Sequence, residues 1–140
     1  MTKRDRNYLI VFLSITVLFV MYMLVKNTGV KAYQYVQQYT YDEDTLTRGK
    51  YNGSFKAYDI KFAEVSFSLN NGKIREFEIP TLIHAPWINV KSSIVDTITK
   101  NDTLGFDAIS GATGTSWYVK AAIHDAIKNA GKDTSTTQKK

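Results

Sequence analysis

Between Asp107 and Ser116 the chain reads Asp-Ala-Ile-Ser-Gly-Ala-Thr-Gly-Thr-Ser. One hydroxyl, that of Thr113, is flanked by the small residues Gly111, Ala112 and Gly114, so a bulky reagent can come close to the backbone there and reach an uncrowded oxygen. From Ser116 to Ala130 the periodicity turns helical, with Val119, Ala122, Ile123, Ala126 and Ala130 on one face. Thr115 or Ser116 is placed to cap that helix, and Gly131 stands where a helix stop is expected. The N–H groups and positive dipole end of such a helix would face the loop, a setting that accepts a phosphate. A phosphate site and a plain capped turn share this composition, and the residues alone leave both open.

The elements that must position this loop follow from the rest of the chain. Residues 8–25, YLIVFLSITVLFVMYMLV, run for eighteen positions without a charge, the lower end of what crosses a bilayer. Lys3, Arg4 and Arg6 precede the run, so residues 1–26 are expected to form a cytoplasmic flank and a transmembrane anchor, with the remainder outside. Val30-Lys31-Ala32 faintly resembles a signal-peptidase site, but the apolar run is longer than a usual signal core, and an uncleaved anchor is expected. Residues 27–46 form a linker bearing Tyr33, Tyr35, Tyr39 and Tyr41, which suit either the lipid interface or packing on the domain.

A domain is expected over 47–131. Gly49–Phe55 reads as a short strand, and Asp59–Leu69 as a stronger one. In the latter Ala63, Val65, Phe67 and Leu69 alternate with polar residues, and Ile60 and Phe62 on the opposite parity call for a bulge near 62–63 or a two-sided strand. Asn70-Asn71-Gly72 suits a primed hairpin turn into a partner strand over Ile74–Ile79, which Pro80 is expected to end. Trp87, Val90, Ile94 and Ile98 recur at helical spacing, predicting a helix over Trp87–Thr99. Residues 132–140 are polar and expected to be disordered. The order of elements gives an α+β class: a single transmembrane helix, then a small antiparallel sheet covered by two helices.

Composition excludes several chemistries. With no cysteine there is no disulfide, iron–sulfur cluster, thiolate zinc or cysteine nucleophile. The net charge of +5 is concentrated at the ends, in the N-terminal flank and in Lys132, Lys139 and Lys140; the near-neutral middle argues against a nucleic-acid surface. His84 and His124 are the only histidines and suggest no metal site.

The run Asp-x-x-Ser-Gly-Ala-Thr-x-(Thr/Ser), here Asp107 to Thr115, resembles the flavinylation motif of the FMN-binding domain family. Gly49-Lys50-Tyr51-Asn52-Gly53 is similar to that family's Gly-x-Tyr-x-Gly opening. The family includes flavin subunits of sodium-pumping NADH:quinone reductase and Rnf complexes, and small membrane-anchored flavoproteins of extracellular electron transfer. The resemblance implies FMN joined through its phosphate to Thr113 by a flavin transferase, with Asp107 part of the signature that the transferase reads. It implies that Ser110, Gly111, Ala112, Gly114, Thr115 and Ser116 surround the phosphate. His84 matches a histidine frequent in the family's ring-side loop, although here the loop continues Ala85-Pro86-Trp87 without a glycine. Trp87, and second to it Trp117, are the candidates to border the flavin ring, since aromatic faces pair in offset geometry. Phe106 reads as core.

The function so implied is a membrane-anchored, extracytoplasmic electron carrier, more a redox subunit than a stand-alone enzyme. It would pass electrons between membrane electron-transfer proteins, or a quinone-linked dehydrogenase, and external acceptors, held to lipid by residues 8–25. The alternatives are an extracytoplasmic domain that binds FMN reversibly and a cofactor-free adaptor domain.

Overall fold

The structure is a computed structural model and describes residues 2–84 and 89–136. The first element is a single helix, α1 (Lys3–Gln38). Thr2 and Asp5 form a reciprocal capping box at its start, the Asp5 amide donating to Thr2 Oγ1 at 3.3 Å and the Thr2 amide to Asp5 Oδ2 at 2.9 Å. Over Tyr8–Val25 the side chains touch little protein: the large apolar residues there are all exposed, from Leu24 at 45% to Phe12 at 68%. Its mean hydropathy and length make this helix long and apolar enough to cross a membrane.

Helix α1 does not stop at the end of the apolar run. It continues through most of the segment expected to be a linker, and there its character changes. Thr28 and Ala32 are buried, and Tyr35 and Val36 partly so, a stripe at helical spacing against the C-terminal helix. A short 3-10 turn, Glu43–Thr45, then leads to the sheet. The Glu43 carboxylate accepts from Thr103 Oγ1 and from the Gly105 amide, each at 3.0 Å, which ties this turn to the segment preceding the 107–116 loop.

The sheet has three antiparallel strands in sequence order: β1 (Gly49–Ala57), β2 (Ile60–Asn70) and β3 (Lys73–Leu82). Tyr51, Gly53, Phe55 and Ala57 of β1 and Ala63, Val65, Phe67 and Leu69 of β2 point to one buried face; Lys50, Asn52 and Lys56 point to solvent. Of the two arrangements expected near 62–63, the bulge is the one present. Phe55 pairs with Ala63 and Lys56 with Lys61, so Phe62 is the extra residue and lies buried beside Ala63. Asn71 and Gly72, at φ 53° and 71°, make the β2–β3 turn in the sense that matches strand twist.

Pro80 does not end β3, which runs on to Leu82, with Thr81 paired to Glu64. The strand lies at the sheet edge, where a missing backbone donor leaves no neighbour unsatisfied.

Helix α2 (Val90–Asn101) packs on β3 through Val90, Ile94 and Ile98. It begins three residues later than the periodicity suggested, and Trp87 falls outside the described residues. Asp102 closes it in the left-handed region, and its Oδ1 accepts from the Ile74 amide at 2.8 Å.

Helix α3 (Thr113–Thr136) lies across β1 and β2. It starts earlier than expected, inside the motif, and passes through Gly131 without ending. An isolated glycine costs a helix interior only about 1 kcal/mol, too little to stop it. Its face of Val119, Ala122, Ile123 and Ala126 is buried as expected. Gly53 makes the close approach possible, because a Cβ there would overlap the Ala122 carbonyl and the Ala126 backbone.

Helices α1 and α3 run side by side in the same direction: Gly29 meets Gly114, Tyr33 meets Trp117, and Tyr39 meets Lys128.

Candidate functional site

The 107–116 segment is built from its own hydrogen bonds. The Ala112 amide donates to the Ile109 carbonyl at 2.9 Å, closing a turn whose third residue, Gly111, has φ 78°. A positive φ at that position is what a type II turn reserves for glycine. The loop's positive φ thus belongs to Gly111; Gly114, the other glycine flanking Thr113, is helical, and a Cβ there meets nothing within 4 Å.

Ser116 then fastens the turn to the helix. It is wholly buried, its hydroxyl donating to the Ala112 carbonyl and accepting from the Ile109 amide, both at 3.0 Å. The cap is therefore not Thr115 or Ser116. Ala112 precedes the first helical residue, its carbonyl accepting from the Ser116 amide at 2.9 Å.

This geometry puts Thr113 at the first position of α3, exposed. The N–H groups of Thr113, Gly114 and Thr115 precede the first i to i−4 bond of the helix, so they form an anion-accepting end beside the Thr113 hydroxyl. No lysine or arginine lies between residues 101 and 119. Within this segment the positive character comes from amides and the helix dipole, which suits a phosphate diester, a monoanion.

The other expected site residues divide. Ser110 and Gly111 are exposed beside Thr113, Ala112 is buried under the turn, and Thr115 is half-buried in the first turn of α3. Asp107 is exposed at the start of the segment and close enough to Lys120 to favour that ammonium's charge. Trp117 is half-buried, its ring edge-on to Tyr33 of α1 at 4.8 Å between centroids, with Lys120 Nζ over it at 4.6 Å. His84 lies half-buried just past the end of β3. Phe106 is core, as expected.

A cavity of about 700 Å³ opens beside the loop. Asp107, Ala108 and Ile109 form one wall; Lys120, Ile123 and His124 of α3 another; Val36 and Tyr41 close it from the side of α1. Thr113 is not among its lining residues.

His124 is half-buried with its ring 4.7 Å from that of Tyr41, edge to face, and its Nδ1 is buried without a hydrogen-bond partner. Burial lowers its pKa from the ordinary 6.5, the nearby Lys120 charge lowers it further, and a backbone contact at Tyr39 opposes both. Burial likewise pushes the Tyr41 hydroxyl up, and lowers Lys120 against the opposing pull of Asp107. The spacing of Lys120 and His124, one helical turn apart, is the sequence signal that pairs them on one face. That Tyr41 faces them is a tertiary fact.

Among the described residues no group of acidic and histidine side chains could hold a metal. No curated protein and no solved structure matches the chain. A family model does: that of the FMN-binding domain, over residues 28–128, which begins where α1 starts to pack on α3 and takes in the sheet, α2, the motif turn and most of α3. With most of its length matched, and with the Ser-Gly-Ala-Thr turn opening a helix, the chain belongs to the FMN-binding domain family.

Proposed function

We propose that this protein is a membrane-anchored, extracytoplasmic flavoprotein that carries FMN as a phosphoester on Thr113 and relays electrons. The observation that carries the reading is the position of Thr113 within a matched FMN-binding domain: an exposed hydroxyl on the first residue of α3, beside three amides with no partner inside the helix. Bound there, FMN supplies one- and two-electron chemistry. The chain's residues hold and orient it. Gly111 allows the turn, Ser116 locks it, and the α3 amides receive the ester's remaining charge. Outside the cytoplasm a covalent bond prevents a cofactor from being lost by dilution, and a flavin transferase is the partner that would form it.

The basic flank Lys3, Arg4 and Arg6 supports a cytoplasmic N-terminus and an external domain. Retention of the anchor is supported by Ala32, which is wholly buried inside an unbroken α1, so that cleavage after it would cut a helix packed on α3. The anchor would confine the flavin to the membrane plane, beside membrane electron-transfer proteins or a quinone-linked dehydrogenase as donors.

The test is co-expression with a flavin transferase, followed by intact-mass measurement and in-gel flavin fluorescence after denaturation. The wild-type chain gains the mass of FMN less one water. Thr113→Val keeps the side chain's shape without the oxygen and should fold but gain nothing, while Thr115→Val should still be labelled. Flavin that washes off the denatured wild-type chain would support reversible binding instead, and no flavin at all would support an adaptor.

A further inference from the structure

We infer that one end of the domain is a lipid-contacting rim, formed by the β1–β2 turn and the end of β3, which rests on the headgroup layer of the bilayer and holds the Ser110–Thr113 turn at that level. The inference rests on the membrane-anchor reading of α1.

Outside residues 8–39, the large apolar side chains exposed among the described residues are Tyr58 (48%), Ile60 (52%) and Ile83 (45%). Scattered surface hydrophobics need no explanation. These three are not scattered. Ala57 pairs with Ile60 across the β1–β2 turn, and the Ile83 amide donates to the Phe62 carbonyl at 2.9 Å, so all three lie at the same end of the sheet. The opposite end carries Asn70, Asn71, Gly72 and Lys73, with no large apolar side chain in its turn.

Contacts with α1 place the apolar end next to the apolar run. The Tyr118 hydroxyl reaches the Val25 carbonyl at 3.4 Å, Asn27 Nδ2 donates to the Tyr58 hydroxyl at 2.9 Å, and Lys31 Nζ lies 4.1 Å from the Tyr58 ring centre. Gly29 faces Gly114.

Helical rise converts these contacts into depth. At about 1.5 Å per residue, Asn27 stands roughly 3 Å, and Gly29 roughly 6 Å, beyond Val25, the last residue of the apolar run. The headgroup layer on each side of the hydrocarbon is about 5–7 Å thick. Tyr58 and the first turn of α3 therefore fall within it. A tyrosine with an apolar ring and a polar tip suits that depth, and Lys26 and Lys31, both exposed, suit anionic headgroups.

The turn itself points the same way. Tyr58 and Asp59 take φ 52° and 60° without a glycine between them. A bulky residue in that region is strained, and here the strain keeps an aromatic ring beside α1 rather than the glycine that the turn would prefer.

The chain has no cysteine, so single cysteines report depth directly. The full chain carrying Val17→Cys, Ile60→Cys, Ile83→Cys or Asn71→Cys is labelled with an environment-sensitive fluorophore and reconstituted into phosphatidylcholine–phosphatidylglycerol vesicles. Spin-labelled lipids then quench at shallow or deep positions. Labels at 60 and 83 should blue-shift and lose most of their emission to shallow quenchers, the label at 17 to deep quenchers, and the label at 71 to neither. Quenching at 17 with 60 and 83 as bright as 71 would overturn the rim and leave the anchor standing. No quenching at 17 would overturn the anchor reading, and the rim with it.

Discussion

The role proposed for Thr113 depends on neighbours that hold the backbone around its hydroxyl. Gly111 takes φ 78°, a conformation that costs any other L-residue on the order of 1–2 kcal/mol, whereas Gly114 sits in ordinary helix with open space where a Cβ would go. The two motif glycines therefore respond differently to the same change. Gly111→Ala should distort the turn and sharply reduce flavin transfer to Thr113, with a modest fall in Tm. Gly114→Ala should leave the fold intact or stabilise it by up to about 1 kcal/mol, as alanine replaces glycine in a helix. Labelling yield by intact mass and Tm by circular dichroism, read on both variants, check this. Equal labelling losses would mean that the transferase reads Gly114 itself rather than the turn's shape. The sequence singled out the Ser-Gly-Ala-Thr run as the place where loop gives way to helix. That Ser116 is buried, holding the turn shut with both of its hydrogen bonds, was not legible there. A serine in a polar loop gives no sign of whether its hydroxyl faces solvent or a carbonyl of its own turn.

Among the elements, α3 sits on the sheet only as closely as Gly53 permits. A methyl group at that position would overlap the Ala122 carbonyl and come within 2.7 Å of Ala126 Cα, both helix backbone that cannot swing aside. Gly53→Ala should thus push α3 off β1 and destabilise the domain by about 1–3 kcal/mol. Thermal unfolding would show a fall in Tm on the order of 10 °C. An unchanged Tm would mean that helix and sheet separate freely. Gly49→Ala, where a Cβ meets nothing within 4 Å, is the matched control. Strand and helix types were readable from periodicity, because alternation and the 3.6-residue repeat are local properties. Boundaries were less so. Pro80 stays in a strand because β3 is an edge, and Gly131 stays in a helix because one glycine is weak punctuation.

For the whole molecule, α1 joins a segment apolar enough to cross a membrane to a structural member of the domain: its first two thirds are bare, and its last third is packed on α3. The domain should therefore not swing on a flexible tether but move with the anchor. If the basic flank sets orientation, protease added outside intact cells should remove the domain, and an N-terminal tag should be protected until the cells are opened. A protected domain with an accessible tag would reverse the topology and end the extracytoplasmic reading.

By itself the sequence determined the apolar run of 8–25, the α+β order of elements, the break in alternation at Phe62, the primed turn at Asn71-Gly72 and the motif at 107–115. Each depends on residue type and on neighbours within one turn or one strand. Only the tertiary structure decided that residues 27–38 continue the apolar helix, that α1 and α3 run parallel, and that Tyr41 covers His124. It likewise decided that the motif turn lies at the end of the domain nearest the apolar run. These are matters of which faces meet across tens of residues. The chain encodes them through buried small residues such as Gly29, Ala32 and Gly53, whose meaning appears only when a second backbone lies against them.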